Sequence, residues 1–173
     1  MATIDEFKAY LEGGGARANQ FRVTLTSPVG EINGELASFL VKTTSLPGQT
    51  ITDVPVNYRG RILYVAGDRT FDPWTTTVIN DTNFELRNGF ERWMNRINEL
   101  RFSTGVNNVS DYTADLTVTQ LDRDDNPLKR YIMRNCWPTN VGAIELNYDT
   151  VSDIETFEVS WRYTHFQSVG VSA

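Results

Sequence analysis

Apolar and polar side chains alternate along most of this chain with a period of two residues. In the clearest case, Phe157, Val159, Trp161 and Tyr163 share one parity and mostly polar residues separate them. Successive side chains of a strand point to opposite faces of its sheet, so this period predicts strands that are buried on one face. The same reasoning predicts strands or strand pairs at 21–25, 36–44, 54–64, 71–80, 112–119, 128–137, 143–148 and 154–165.

The segment 46–80 organises the predicted fold. Apolar and β-branched residues alternate on both sides of Gly60, which predicts a β-hairpin. A tight turn is predicted at 66–69, and Pro73 then leads into the next strand. The arm 46–58 at the start of this segment has the Pro and Gly content of a loop, yet it is partly apolar. Loops are usually polar, so we expect this arm to dock onto another surface.

One amphipathic helix is predicted at about 83–101, with Asp81 or Thr82 as its cap. At ~100° per residue its apolar side chains fall on one stripe, formed by Leu86, Phe90, Trp93, Met94, Ile97 and Leu100. The opposite face is charged and carries Glu85, Arg92, Arg96 and Glu99. Such a face either is solvated or docks a partner, and both interpretations stay open at this point.

The N-terminal region 1–18 is predicted to contain a short helix and a hinge. Thr3 and Glu6 have the spacing of a capping box. The glycines at 13–15 favour a hinge over a phosphate site, because a strand follows them and not a helix N-terminus. Without a repeat or a domain linker, residues 1–173 are predicted to form a single domain. Its fold is a two-sheet β-sandwich or partly open β-barrel with one flanking helix.

Composition disfavours several classes of function. The formal net charge of −6 argues against a sequence-independent DNA clamp, which needs clustered Lys and Arg. Cys136 and His165 are each the only residue of their type, so we expect no disulfide, no metal site, no cofactor and no enzyme. The segment 122–127 has the D-x-D-x-N spacing of a calcium loop but lacks its glycine and its glutamate, which predicts a hairpin turn. No apolar run approaches the ~18 residues of a membrane-spanning helix, and the acidic N-terminus is unlike a secretion signal.

Several longer motifs follow one another along the chain. They are Leu46-Pro47-Gly48, Ala66-Gly67-Asp68-Arg69-Thr70-Phe71-Asp72-Pro73-Trp74, Val78-Ile79-Asn80-Asp81, Trp137-Pro138-Thr139-Asn140-Val141-Gly142 and Thr156-Phe157-Glu158-Val159. In sequence and in order they resemble the tail tube proteins of contractile-tailed, myovirus-type bacteriophages, from residue 19 to about residue 163. The inner-tube proteins of type VI secretion and other contractile injection systems are related to that family. Segments 26–36 and 101–130 match it loosely, and the C-terminal tail 166–173 extends beyond its pattern.

This resemblance implies a structural virion protein with two β-sheets and a flanking helix. It implies hexameric rings, in which one sheet of each subunit joins edge to edge into an inner barrel, and rings that stack into a tube. A tail sheath protein would surround the tube, and the tape-measure protein and then double-stranded DNA would occupy its lumen. Baseplate and tail terminator proteins would bind its ends. The protein would be assembled in the cytoplasm of the infected bacterium and would serve as the conduit for DNA ejection.

Within such a tube, three groups of residues have expected roles. Contacts between rings or subunits are expected at Leu46, Pro47, Gly48, Ile51, Val54, Pro55, Gly67, Asp68, Arg69, Phe71, Trp74, Trp137 and Asn140. An acidic or neutral lumen is expected from the polar parity of two strands, at Thr113, Asp115, Thr117, Thr119, Thr156, Glu158 and Ser160. The sheath is expected to contact Glu85, Arg92, Arg96 and Glu99.

Two alternative functions stay open from the sequence. An inner-tube or baseplate tube-like protein of a related contractile injection system would share the fold and the assembly but carry another cargo. A carbohydrate-binding β-sandwich would instead be monomeric and use exposed Trp and Tyr as sugar platforms. For Trp74 and Trp137 individually, a role at the subunit boundary and a role only in the core are both open.

Overall fold

A computed structural model of the chain describes residues 3–11, 15–28, 30 and 32–170. The helices in this part are α1 (Ile4–Tyr10), α2 (Gly34–Leu40) and α3 (Glu85–Ile97), with a short 3-10 helix at Val109–Asp111. The strands are β1 (Phe21–Thr24), β2 (Val41–Thr44), β3 (Gln49–Tyr58), β4 (Arg61–Phe71), β5 (Trp74–Ile79), β6 (Ala114–Leu121), β7 (Pro127–Val141), β8 (Thr156–Arg162) and β9 (His165–Gly170). The mainly β fold class predicted from the sequence is confirmed.

All strands except β3 and β4 belong to one antiparallel sheet, which has two halves. Half-sheet A has the strand order β1-β6-β7-β9, and half-sheet B has the order β7-β8-β5-β2. The long strand β7 runs through both halves: residues 127–136 pair with β6, and residues 137–141 pair with β8. Just before the change of partner, at the register shift of the β6 pairing, Asn135 has a φ of 54° that interrupts the regular strand.

The two half-sheets and α3 enclose one hydrophobic core. Leu116 and Val118 of half-sheet A belong to the same buried cluster as Trp161 of half-sheet B. From α3, the rings of Phe90 and Trp93 lie 5.7 and 5.6 Å from the Trp161 ring, measured between centroids. Because side chains alternate along each strand, the residues between the buried ones point away from this core.

The predicted strand 36–44 is wrong in its first part, because residues 34–40 form α2. The Asn33 side chain caps this helix by accepting a hydrogen bond from the Leu36 N–H at 3.3 Å. Leu36, Ala37 and Leu40 then have the spacing of one helix face, and all three pack in or against the core. Only Val41–Thr44 is a strand, and it pairs with β5.

The hairpin predicted around Gly60 is confirmed, but the tight turn predicted at 66–69 is wrong. The hairpin turns at Arg59 and Gly60, whose φ angles are 48° and 80°. β4 continues from Arg61 to Phe71, and its pairing with β3 shifts where Gly67 and Asp68 face the single residue Thr52. The Gly-Asp pair therefore makes a bulge within the strand.

Other predicted boundaries also change. The helix predicted at 83–101 begins after Phe84, whose φ is 54°, and ends at Ile97, although Asp81 does accept the Glu85 N–H at 3.1 Å. The predicted strand 143–148 belongs to an irregular loop, while the predicted loop 138–142 is mostly part of β7. The predicted strand 154–165 is interrupted after Arg162, and the chain then continues in the same direction along β7 as β9.

The capping box at the N-terminus is confirmed. Glu6 accepts the Thr3 N–H at 2.8 Å, and the Thr3 hydroxyl accepts the Glu6 N–H at 3.4 Å. No residue of α1 is buried. Of the predicted hinge, Gly13 and Gly14 lie outside the described residues, as do residues 1–2 of the N-terminal region and 171–173 of the C-terminal tail.

Candidate assembly surfaces

β3 and β4 form a two-stranded ribbon, and no other strand in the described part of the chain pairs with it. Every residue of β3 is exposed, and so is most of β4. Eight large apolar side chains of the ribbon are 46–66% exposed: Ile51, Val54, Val56, Tyr58, Ile62, Leu63, Tyr64 and Val65. Isolated two-stranded hairpins are marginally stable in water, and a contiguous apolar surface of this kind marks an interaction site.

The ribbon tip, defined as residues 54–65, is positively charged. It contains Arg59 and Arg61 and neither Asp nor Glu. The Arg59 guanidinium lies 5.2 Å from the centroid of the Tyr58 ring, in cation–π geometry. Sequence reasoning placed the docking surface in the arm 46–58 and missed β4. The signal was present, because the apolar alternation continues through Ile62 and Tyr64.

The base of the ribbon is tied to the body of the protein. The Gly48 carbonyl oxygen accepts hydrogen bonds from the Asp72 N–H and the Tyr163 hydroxyl, both at 3.4 Å. A side chain at Gly48 would meet the Asp72 Oδ2 at 2.9 Å, so the exposed Asp72 side chain would have to move to admit it. The Phe71 ring lies 5.9 Å from the Tyr163 ring and 5.5 Å from the Phe166 ring. Gly48 and Phe71 therefore hold the ribbon within its own subunit.

The two longest sequence motifs meet in half-sheet B. Trp161 of β8 pairs with Trp74 of β5 on one side and with Pro138 of β7 on the other. Trp74 is 1% exposed, and its indole N–H donates to the Ser45 carbonyl oxygen at 2.8 Å. The boundary role expected for Trp74 is therefore wrong, because its whole side chain is in the core. Trp137 is half-buried, with its ring 6.3 Å from that of Tyr112.

The remaining expected interface residues lie at the surface or near it. Leu46, Gly48, Ile51, Val54, Pro55, Asp68, Arg69 and Asn140 are exposed, while Pro47, Gly67 and Phe71 are half-buried. At Gly67 a Cβ would meet the Thr52 hydroxyl and carbonyl oxygens at 2.8 and 2.9 Å. This glycine is explained by the bulge in the ribbon.

Half-sheet A has two free edges among the described strands. β1 pairs only with β6, and β9 pairs only with β7. Directions alternate across the four strands, so β1 and β9 run in opposite directions and the edges of two copies can pair antiparallel. In half-sheet B the described edges are β2 and the short segment 137–141 of β7, which pairs only with β8. Unpaired edges expose backbone hydrogen-bonding groups and attract further strands.

The outer face of half-sheet A carries hydroxyl groups and arginines. The register places Arg22, Thr119 and Arg130 in one row across β1, β6 and β7, with Thr24 and Thr117 in the next row. All five line a shallow groove. Thr119 is 8% exposed, because the two long arginine side chains flank it.

Asp115 lies on the same outer face and is bound within its own subunit. Its Oδ2 forms an ion pair with Arg134, and its Oδ1 accepts the Asn135 N–H at 3.1 Å. Arg134 also donates to the Gln167 side chain of β9 at 3.0 Å. Asp115 thus fastens β6 to the point where β7 passes from one half-sheet to the other. Arg22, Arg130 and Arg134 accompany Asp115 on this face, and Asp125 also lines the groove. This excess of arginine differs from the acidic or neutral lumen that was expected, and the composition of the lumen stays a prediction.

The other residues expected in the lumen lie elsewhere. Thr156, Glu158 and Ser160 are on the outer face of half-sheet B, opposite Ile79, Thr77 and Thr75 of β5. Thr113 precedes β6, and its hydroxyl donates to the Val109 carbonyl oxygen at 2.9 Å. Of the seven residues that were expected to line one channel, three therefore lie on half-sheet A, three on half-sheet B, and Thr113 precedes β6.

The charged side of α3 lies at the surface. Glu85, Arg92 and Arg96 are exposed and Glu99 is half-buried. Two of these carboxylates have partners within the chain: Glu85 accepts from the Asn33 amide at 3.3 Å, and Glu99 from the Thr104 hydroxyl at 2.8 Å.

The described residues also limit the chemistry of this surface. None of their His, Cys, Asp and Glu side chains form a group of three or more that could hold a metal ion. Cys136 is buried, and burial raises the pKa of its thiol to about 12. His165 is exposed on the edge strand β9. As far as the helices are described, none is long and apolar enough to cross a membrane.

These features define a β protein of two half-sheets with a flanking helix, a protruding ribbon and free edges at β1, β9 and β2. Residues 16–169 match the family model of phage tail tube proteins. The chain is 35% identical over 172 residues to tail tube protein gp19 of Enterobacteria phage T4, covering 96% of this chain and 100% of that protein. It is 30% identical over 174 residues to the tail tube protein of Serratia phage KSP90, covering 98% and 97%. The chain therefore belongs to the phage tail tube protein family and is a structural component of the virion tail.

Solved structures share the fold. A chain of the anti-feeding prophage baseplate superposes with a TM-score of 0.66 at 16% identity, covering 92% of this chain and 98% of that chain. A chain of the sheath–tube complex of an extracellular contractile injection system, in its extended state, gives a TM-score of 0.65 at 14% identity, covering 99% and 100%. The tail tube identity and the fold implied by the sequence motifs are confirmed.

Proposed function

We propose that this chain builds the inner tail tube by closing into hexameric rings through half-sheet A. The observation that carries this proposal is the pair of free edges, β1 and β9, which run in opposite directions. Antiparallel pairing of β1 in one copy with β9 in the next leaves no edge of half-sheet A open once the ring closes. Six-fold assembly is supported by the fold neighbour from the anti-feeding prophage baseplate, which was solved as a six-fold symmetrised structure.

The outer face of half-sheet A then lines the channel. The core lies between the two half-sheets, so only one of the two outer faces can face a lumen. Ring closure needs two free edges, and half-sheet A supplies them as two separate strands, whereas the second edge of half-sheet B is only the segment 137–141 of β7. We therefore assign Thr117 and Thr119 to the lumen wall and place Thr156, Glu158 and Ser160 outside it. In this arrangement the tape-measure protein, and later double-stranded DNA, passes along the rows that hold Arg22 and Arg130.

The ribbon stacks the rings. Its exposed apolar residues, including Ile51 and Val54, become buried when the ribbon lies against a neighbouring ring. Each Å2 of apolar surface that is removed from water stabilises the contact by roughly 25 cal/mol. Burial of the ribbon therefore favours stacked rings over isolated rings. The protein has a structural role in this assembly and catalyses no reaction.

The sheath docks on the outward side of α3, at Glu85, Arg92, Arg96 and Glu99, and the baseplate and the tail terminator bind the two ends of the tube. Exposed charges suit a contact that must release on contraction, because salt screens them within ~8 Å at physiological ionic strength. Charge reversal at Arg92 and Arg96 should weaken co-sedimentation of sheath with preformed tubes. Unchanged co-sedimentation would place the sheath contact on other elements.

Cross-linking tests the ring. Thr24→Cys on β1 and Gln167→Cys on β9, combined in one full-length chain, should react with a short bismaleimide and give a ladder of products that ends at the hexamer. Each single variant is the control and should stay monomeric on a denaturing gel, because the buried thiol of Cys136 is unreactive. Negative-stain images of the same samples should show rings or tubes. Discrete monomers in the images, or rings without a ladder, would contradict closure through β1 and β9.

A further inference from the structure

The loop 142–155, which joins β7 to β8, is unusually apolar at its surface. It contains no helix or strand, and Leu146, Tyr148, Val151 and Ile154 in it are 73–105% exposed. Long irregular loops are uncommon in compact domains and usually serve a function. Four exposed apolar side chains within one loop form a surface that favours contact with another molecule.

Local hydrogen bonds give this loop a defined shape. The Asn147 side chain accepts the Asp149 N–H at 3.0 Å, and the Asn147 carbonyl oxygen accepts the Thr150 hydroxyl at 2.7 Å. At its end, the Glu155 side chain accepts from the Asn80 amide at 2.9 Å. Together with the start of β8, the loop surrounds an open concavity of about 650 Å3. A partner therefore meets a formed surface, and less ordering is needed on binding.

The loop and the ribbon tip carry opposite charges. Residues 142–155 include Glu145, Asp149, Asp153 and Glu155 and neither Lys nor Arg. The ribbon tip, residues 54–65, includes two arginines and no acidic residue. Both surfaces also present exposed apolar side chains. Complementary charge orients such surfaces and excludes wrong pairings, while apolar burial supplies affinity.

The two surfaces lie at opposite ends of half-sheet B. The ribbon enters β5 at Trp74, whereas the loop is tied to Asn80, just beyond the end of β5 at Ile79. Six residues of strand separate them by roughly 20 Å. One end of each subunit is therefore basic and apolar, and the opposite end is acidic and apolar. Such a pair of surfaces suits head-to-tail contact between copies, which propagates as an open filament.

We propose that the loop 142–155 is the receptor for the ribbon tip of a second copy of this chain in the neighbouring ring. This inference rests on the proposed function, because it names the partner surface that the ribbon contacts when rings stack. The ten residues of β3 allow the ribbon to extend about 33 Å from its base.

A charge exchange tests the pairing. Arg59→Glu with Arg61→Glu reverses the tip, and Asp149→Lys with Asp153→Lys reverses the loop. Each pair of changes should leave hexameric rings intact and abolish tubes in negative-stain images of the purified full-length chain. The four changes together should restore tubes. As a control, Glu35→Lys with Asp124→Lys makes the same change of charge at exposed positions on α2 and the β6–β7 turn, and tubes should persist.

The outcomes separate this inference from the function on which it rests. Tubes in the tip variant would contradict stacking through the ribbon altogether. Loss of tubes in the tip variant with normal tubes in the loop variant would overturn only the receptor, as would a failure of the four changes to restore tubes. Loop variants that form tubes but no longer bind sheath would assign the loop to the sheath and also overturn it.

Cross-linking gives a second measurement that does not depend on charge-reversed variants. Tyr58→Cys on the ribbon tip and Tyr148→Cys on the loop, combined in one chain, should produce bismaleimide-linked multimers in assembled tubes. Either single variant should give none. Because this bond joins rings, the products should disappear when tubes are disassembled into rings before the reagent is added. Tubes without cross-linked products would overturn the proposed receptor.

Discussion

The indole N–H of Trp161 donates a hydrogen bond to the hydroxyl of Thr76, at 3.0 Å, in the interior of the protein. Trp161 is fully buried and Thr76 is 1% exposed. The Trp161 ring also contacts Trp74 of β5 and the two aromatic residues of α3, Phe90 and Trp93. One polar contact thus fixes the orientation of the ring on which half-sheet B and α3 pack.

Removing the hydroxyl of Thr76 should destabilise the protein. Thr76→Val keeps the shape of the side chain but leaves the Trp161 N–H without its acceptor in the core, which costs about 1–3 kcal/mol. Thr75→Val is the matched control, because Thr75 points to the opposite face of the same strand and should change stability by less than about 0.5 kcal/mol. Denaturant unfolding followed by tryptophan fluorescence measures both. Equal effects in the two variants would contradict the importance of this bond.

Cys136 should report unfolding. Burial raises the pKa of its thiol to about 12 from an ordinary 9.0, so the group is protonated at pH 8 in the folded protein. We expect no alkylation by iodoacetamide at pH 8 until denaturant unfolds the chain, and then alkylation in step with the loss of structure. Rapid labelling of the native protein would show that the interior around Cys136 opens.

The same raised pKa predicts a loss of stability in alkali. A thiol whose folded pKa exceeds its unfolded pKa stabilises the fold fully below the unfolded value, and this contribution disappears as pH rises through the folded value. For Cys136 the window runs from 9.0 to about 12. Burial also raises the pKa of Tyr163 above its ordinary 10.0, with the same sign. Cys136→Ala should flatten the fall in unfolding free energy above pH 9, and an unchanged slope would contradict this assignment.

Asn135 should tolerate glycine but not valine. Its φ of 54° lies in the left-handed region, which costs a β-branched residue about 1–2 kcal/mol. Both substitutions keep the backbone N–H that binds Asp115, and both lose the weak amide contact to Thr164 at 3.5 Å. Thermal unfolding should therefore show destabilisation by Asn135→Val and little change for Asn135→Gly. If both variants lost the same stability, the contribution of Asn135 would come from its amide side chain and not from its backbone conformation.

The arginines of the proposed lumen should make DNA ejection depend on salt. Cationic side chains gain affinity for DNA by releasing counterions, and this affinity falls as salt rises. We expect wild-type virions to eject more slowly at low salt, and Arg22→Gln with Arg130→Gln to remove much of that dependence. Lys42→Gln with Arg162→Gln makes the same change of charge on half-sheet B and should behave like the wild type. Ejection rates followed with a DNA-binding dye decide this, and identical salt dependence in all three would overturn the lumen assignment.

The sequence by itself determined the class of fold and the family. The two-residue period correctly predicted that Phe157, Val159 and Trp161 form one buried face. A strand that is buried on one side has apolar residues at every second position, so this feature can be recognised from the sequence alone. The capping box at Thr3 is likewise a contact between residues three positions apart. Such features depend on neighbours in the chain, and the motifs that identify the family extend over runs of adjacent residues.

Only the tertiary structure decided which strands are neighbours and whether a given face of a strand packs in the core or lies at the surface. Residues 34–40 form a helix because their apolar side chains fit the core, and residues 66–69 stay in a strand because β3 pairs with them. Trp74 is a core residue because Trp161, far along the chain, lies opposite it. The polar faces of β6 and β8 look alike in sequence but belong to different half-sheets. Strand order and free edges depend on pairing between residues that are far apart in the chain. The local alternation of polar and apolar residues does not specify which strands will pair.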